Sequence, residues 1–96
     1  MLREYELLYV LHPELDDAQV ETHREYVRNA VTKLGGEIRK DDIWGRRPLP
    51  FEMKKAREGL FCVMRFALEP DKPVKLAYEL KINDRIIRNM LTTVKK

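Results

Sequence analysis

Tyr5, Leu7, Tyr9 and Leu11 alternate with Glu4, Glu6, Leu8 and Val10, a period of two that predicts a strand with one strongly apolar face. Its phase can be chosen on energetic grounds. If Tyr9 faced outward, Glu6 would share the buried side with Leu8 and Val10, and a buried unpaired carboxylate is costly. The opposite phase buries Tyr5, Leu7, Tyr9 and Leu11 and leaves Glu6 in water. His12-Pro13 ends this strand, and Asp16-Asp17 then supply a helix cap, with Glu21 and Glu25 near the positive end of the helix. Val20, Val27, Ala30, Val31 and Leu34 recur at helical spacing until Gly35-Gly36 stops the helix.

Residues 37–43 read as a second strand and residues 60–68 as a third. Pro48 and Pro50 cannot donate to a ladder, so the second strand should lie at a sheet edge or be interrupted there. Asp71 and Pro73 open a second helix with Val74, Ala77 and Leu80 inward, and residues 86–94 form a last strand. The order β-α-β-β-α-β is that of a ferredoxin-like α+β domain. Two helices would cover one face of a four-stranded antiparallel sheet of order 4-1-3-2, with the second strand at an edge. The 96 residues make one such domain, 1–96, without repeat or linker. This fold hosts many functions, so activity has to be read from the surface.

Charge is distributed unevenly. Residues 1–35 hold four Lys/Arg against seven Asp/Glu, a net −3, whereas residues 36–96 hold fifteen against nine, a net +6. The stretch 44–66, WGRRPLPFEMKKAREGLFCVMRF, sets Arg46, Arg47, Lys54, Lys55 and Arg57 between two strand-like runs, with Gly45 and Gly59 near its bends. A long hairpin with that local density of cations suits phosphate binding. No apolar run approaches the roughly 18 residues of a membrane span. The N-terminal stretch carries Glu4 and Glu6 and no small-residue cleavage signature, unlike a secretory signal or a removable presequence. Cys62 is the sole cysteine, so an internal disulfide and a multi-cysteine metal site are excluded, and it reads as a small core residue.

Catalytic patterns are missing. There is no glycine-rich phosphate loop, no HExxH, no serine at all and no Cys-His pair at recognisable spacing. Asp41 and Asp42, as neighbours in a strand, point to opposite faces. His12 lies at a turn, and His23 beside the apolar stripe reads as structural. Acylphosphatases share the topology, but the loop after strand one here reads Leu11-His12-Pro13-Glu14. Leu8-Tyr9-Val10 and residues 57–63 resemble the two signatures of an RNA-recognition motif. That platform needs outward aromatics for base stacking, and on this reading Leu60 and Cys62 occupy the stacking positions. Neither an enzyme, a metal nor a cofactor is expected.

Over almost its full length the chain resembles the small-subunit ribosomal protein S-six family. The resemblance rests on Tyr5-Glu6, Leu11-x-Pro13, Gly35-Gly36, Trp44-Gly45-x-Arg47-x-Leu49-Pro50-Phe51, Lys54 or Lys55, Gly59-x-Phe61, and Leu80 to Arg88 with Met90. Departures are Phe51 where tyrosine is common, the crowding by Pro48 and Pro50, the polar Asn89 in the last strand, and an end at Lys96 without a long tail. The resemblance implies a non-catalytic component of the small ribosomal subunit that binds the central domain of its rRNA together with ribosomal protein S-eighteen. The RNA contacts expected are Arg46, Arg47, Lys54, Lys55 and Arg57, with Arg3, Arg85 and Arg88 behind them. A protein neighbour is expected on the second strand's edge at Ile38, Ile43, Leu49 and above all Trp44, which could instead close the core. Neither a membrane nor a small-molecule substrate is expected. The Trp44-Gly45 and Pro-Leu-Pro features lean towards a ribosome of the mitochondrial matrix, with bacterial cytoplasm or plastid as alternatives. The competing reading is a ferredoxin-like protein-interaction or regulatory module that binds no RNA.

Overall fold

The computed structural model describes residues 1–94, with Met53 in its backbone alone. Its elements are β1 (Arg3–Leu11), α1 (Asp17–Lys33), β2 (Glu37–Met53), β3 (Ala56–Leu68), α2 (Pro73–Lys81) and β4 (Ile86–Thr93). The strands form one antiparallel sheet in the order β2-β3-β1-β4, which is the expected 4-1-3-2 read from the other edge. Tyr5, Leu7, Tyr9 and Leu11 are buried as their alternation requires, together with Val20, Val27, Val31, Leu76 and Leu80 from the helices. Tyr5 stacks on Phe66 with ring centroids 6.0 Å apart. Glu6 faces away from the helices and accepts a 2.9 Å bond from Arg65 Nε across the sheet.

Helix α1 begins at Asp16 through a reciprocal cap. Gln19 N–H donates to Asp16 Oδ1 at 2.8 Å, and Asp16 N–H donates back to Gln19 Oε1 at 3.0 Å. Such a cap is worth about 1 kcal/mol. The helix is tied to the edge strand by Asp41, whose Oδ2 accepts from Arg28 Nη1 at 2.8 Å. Arg24 Nη2 donates to the Asp41 carbonyl at 3.3 Å. It also stands 3.1 Å from Asp41 Oδ1, but off the line of an N–H, so that second contact is Coulombic rather than hydrogen-bonded. Glu21 pairs with both arginines. The hydrogen bonds to Asp41 and Glu21 hold the Arg28 guanidinium firmly protonated, and that to Arg28 lowers Glu21 below the usual carboxylate range. Asp42 points the other way, half-buried, with Oδ2 3.5 Å from Lys40 Nζ.

Three sequence expectations are corrected. Cys62 is fully buried among the helix-facing residues and Leu60 packs against them, so neither lies on the open face. The register Val10–Phe61, Leu8–Val63 and Glu6–Arg65 puts Phe61, Val63 and Arg65 there instead. β3 lies inside the sheet, and on the side away from the helices Val63 is buried and Phe61 lies under the hairpin, so residues 60–64 are uniformly apolar and show no period. In α2 the inward residues are Leu76 and Leu80, while Val74 is 78% exposed and Ala77 is exposed. The nine-residue helix meets the sheet through one i, i+4 pair, which leaves its other apolar positions outside. β2 runs ten residues beyond the expected Ile43, with register shifts between Ile38 and Lys40, Ile43 and Gly45, and Pro48 and Met53. It does lie at the edge, and its prolines fall at or within the last irregularity, where no ladder donor is needed.

Candidate nucleic-acid interface

The β2–β3 hairpin outruns the rest of the sheet. β1 pairs with β3 only from Leu60 to Leu68, so residues 47–59 continue past the last β1 partner. Gly59 allows this passage, because a Cβ there would lie 2.3 Å from Val10 Cγ1 and 3.2 Å from the Leu11 carbonyl oxygen. The hairpin then curls across the open face towards β4. Pro48, Leu49 and Pro50 arch over Leu8, Val10 and Phe61, enclosing with Met90 and Arg88 a cleft of about 330 Å³.

The chain reverses at Lys54 and Lys55, not at either glycine. Met53 pairs with Ala56, so these two lysines form a two-residue turn with φ of 48° and 63°. Such turns favour Asn-Gly, since a Cβ crowds the carbonyl oxygen in the left-handed region, where Gly has none and Asn offsets the cost by local hydrogen bonding. Two long cations at the tip therefore stand in strained backbone, a placement that clusters at functional positions. Lys54 Nζ donates to the Ile86 carbonyl at 3.3 Å and approaches that of Asp84 at 3.5 Å, which fastens the tip to the start of β4. Lys55 is exposed and makes no ion pair among the described residues.

The other cations differ in how free they are. Arg46 Nη1 donates to the Pro13 carbonyl at 2.9 Å and lies 3.9 Å from Glu58. Arg57 is 89% exposed and 3.5 Å from Glu52. Arg47 sits over the Trp44 ring, 5.4 Å from its centroid, leaving the guanidinium edge open. Arg88 is paired opposite Val10 and lines the cleft, and Arg85 precedes β4 at the same end, where its carbonyl accepts from His12 N–H at 2.9 Å. Seven of the eight expected RNA contacts therefore share one end of the sheet. Arg3 does not, because it pairs with Leu68 at the far end of β1.

The expected partner surface divides too. Trp44 is 50% and Ile43 46% exposed, so Trp44 does not close the core. It leaves the ladder at a bulge where Gly45 adopts φ of 105°, a conformation that a side chain would oppose. Leu49 lines the cleft. Ile38 packs against the helix-facing core opposite Phe66 and offers little edge surface. Sequence reasoning misses the cleft because setting Leu60 and Cys62 outward turns Phe61, which lies between them, towards the helices. The signal was present in Arg65: a charged residue has to face outward, and positions 61 and 63 share its side. His23 is held below its ordinary range by burial and by Arg85, with Nδ1 3.2 Å from Asn83 Nδ2, a structural setting. Among the described residues no group of three or more His, Cys, Asp or Glu could hold a metal ion, and no helix is long and apolar enough to cross a membrane.

Comparison with known proteins gives this geometry a family. A small ribosomal subunit protein bS6 from Carboxydothermus hydrogenoformans is 40% identical over 91 residues, covering 95% of each chain. The protein of the same description from Clostridium acetobutylicum is 33% identical over 95 residues, covering 99% of this chain and all of its own. The crystal structure of 30S ribosomal protein S6 from Thermotoga maritima superposes with a TM-score of 0.91, covering 98% of this chain and 89% of the other, at 24% identity. These relatives are bacterial, and none supports the mitochondrial preference drawn from the hairpin sequence. The family described as ribosomal protein S6 matches residues 4–93, and the chain belongs to that family of small-subunit ribosomal proteins, not to an enzyme family.

Proposed function

We propose that this protein is a scaffold of the small subunit of a bacterial ribosome, gripping rRNA with the hairpin end of its sheet. The observation that carries the reading is the gathering of seven cations there, two of them in a strained turn. Arg46, Arg47, Lys54, Lys55 and Arg57 would meet backbone phosphates, with Arg85 and Arg88 extending the surface along β4. Arginines can make bidentate phosphate contacts, and lysines act as point charges. Structured RNA offers shape and backbone to such a surface, and single strands would need more than the one ring, Phe61, at the cleft. The protein neighbour implied by the family resemblance, ribosomal protein S-eighteen, would cover the edge at Ile43 and Trp44 and reach Leu49. An exposed tryptophan beside a bulged strand edge supports that anchor.

Replacing Arg46 and Arg47 together by alanine tests the RNA surface. The double variant should bind the central-domain rRNA fragment more weakly, with a salt dependence shallower by just under one unit per lost phosphate contact. An unchanged affinity and an unchanged slope would remove these two residues from the interface.

A further inference from the structure

A second surface lies on the opposite side of the molecule, where α1 and α2 meet. Tyr26, Ala30, Leu34, Val74 and Tyr78 line a groove of about 550 Å³ between the two helices. Its α2 wall continues as a stripe, since Val74, Tyr78 and Ile82 follow at four-residue intervals and are 78%, 63% and 53% exposed. Spacing of this kind normally turns a helix face inward, yet the inward face of α2 is already supplied by Leu76 and Leu80. The stripe is therefore a second apolar face with no partner among the described residues.

Charge around the groove selects the occupant. Lys33 and Lys75 stand at its rims and Lys81 beside the stripe; all three are exposed and make no ion pair among the described residues. The one carboxylate in the lining, Glu79, is already engaged, with Oε2 accepting from Tyr26 Oη at 3.1 Å and its carbonyl accepting from the same hydroxyl at 2.9 Å. A second copy of this chain fits poorly. Antiparallel α2 helices that set Val74 against Ile82 would also set Lys75 against Lys81, like against like. RNA could take the lysines but would leave Val74 and Ile82 against water.

We infer that this groove docks an amphipathic helix of another protein, with carboxylates flanking its apolar stripe. Nine residues of α2 span about 13 Å, room for anchors at i, i+3 or i+4, and i+7. The apolar anchors would enter between the helices over Tyr26 and Leu34, and the flanking acids would meet Lys33 and Lys75. The site lies away from the hairpin end, so it leaves the proposed rRNA surface free.

A synthetic helical peptide with leucines at those spacings and flanking glutamates is the probe, and its lysine-flanked counterpart the control. Titrated into the isotope-labelled full chain, the glutamate peptide should shift amides of α2 and the second half of α1, and the lysine peptide should bind at least about fivefold more weakly. Tyr78→Ala should weaken the glutamate peptide by a similar factor. Lys33→Glu with Lys75→Glu should reverse the preference between the two peptides. These side chains are exposed, and a thermal melt confirms that each variant folds. Equal binding of both peptides, shifts elsewhere, or no binding at all would overturn the inference. So would a charge-reversed variant that loses the rRNA fragment while peptide binding stays as in the parent, since the groove would then be an RNA contact.

Discussion

Cys62 sits opposite Tyr9 in the centre of the sheet, fully buried, and burial pushes its thiol up to about 11 from an ordinary 9.0. The consequence for stability has a definite sign. Between those two values the unfolded chain has released the proton while the folded chain keeps it, so stability falls as pH rises through this window and is complete below it. The effect is on the order of 2 kcal/mol, and Tyr9, also raised chiefly by burial, adds to it at the alkaline end. Urea unfolding midpoints measured from pH 8 to 11 should therefore decline, and decline less steeply in Cys62→Ala, whose lower starting stability reflects the cavity. Parallel slopes for the two proteins would show that the thiol is not what titrates. The cysteine's burial was legible in its apolar neighbours; its facing was not. A run apolar on both faces carries no alternation, and only Arg65, three residues on, records which side is open.

Among the elements, the hairpin was the least legible. In β1 one face is the main core and Glu4 and Glu6 mark the other before the run turns wholly apolar, so both existence and phase could be read. The prolines of β2 placed it at the edge for a sound reason, but nothing in Lys54-Lys55 announces a tight turn. Asp41 was recognisable as pointing away from Asp42, yet its bond to Arg28 depends on a helix thirteen residues earlier and has no local signature. The turn allows a prediction at this scale. Lys54→Asn with Lys55→Gly supplies the residues that positive φ favours, and should stabilise the fold by about 1 kcal/mol even after the tether to the Ile86 carbonyl is lost. The same variant should bind the rRNA fragment more weakly, with a salt slope shallower by nearly two units. Stability and binding moving in opposite directions would mark the strain as kept for function. A variant destabilised by the change would show instead that the Lys54 tether outweighs the backbone cost.

At the scale of the whole molecule, the fold sorts charge by place in a way that the sequence total of +3 conceals. Antiparallel pairing brings the start of β4 and the end of β1 to the same end of the sheet as the hairpin, so Arg85 and Arg88 join a cluster whose other members lie roughly thirty to forty residues earlier. Arg3, though first in the same sheet, begins β1 at the other end. Eight steps of extended chain separate Arg3 from Leu11, about 27 Å, more than twice the distance over which salt at 0.1 M screens a charge. If the rRNA lies across the hairpin end, Arg88→Ala should reduce its affinity and flatten the salt dependence by just under one unit, whereas Arg3→Ala should change neither. Because both are exposed arginines with no ion pair among the described residues, the pair controls for loss of net charge. Equal effects would mean that the RNA runs the length of the sheet, and the cluster would then be one part of a longer track.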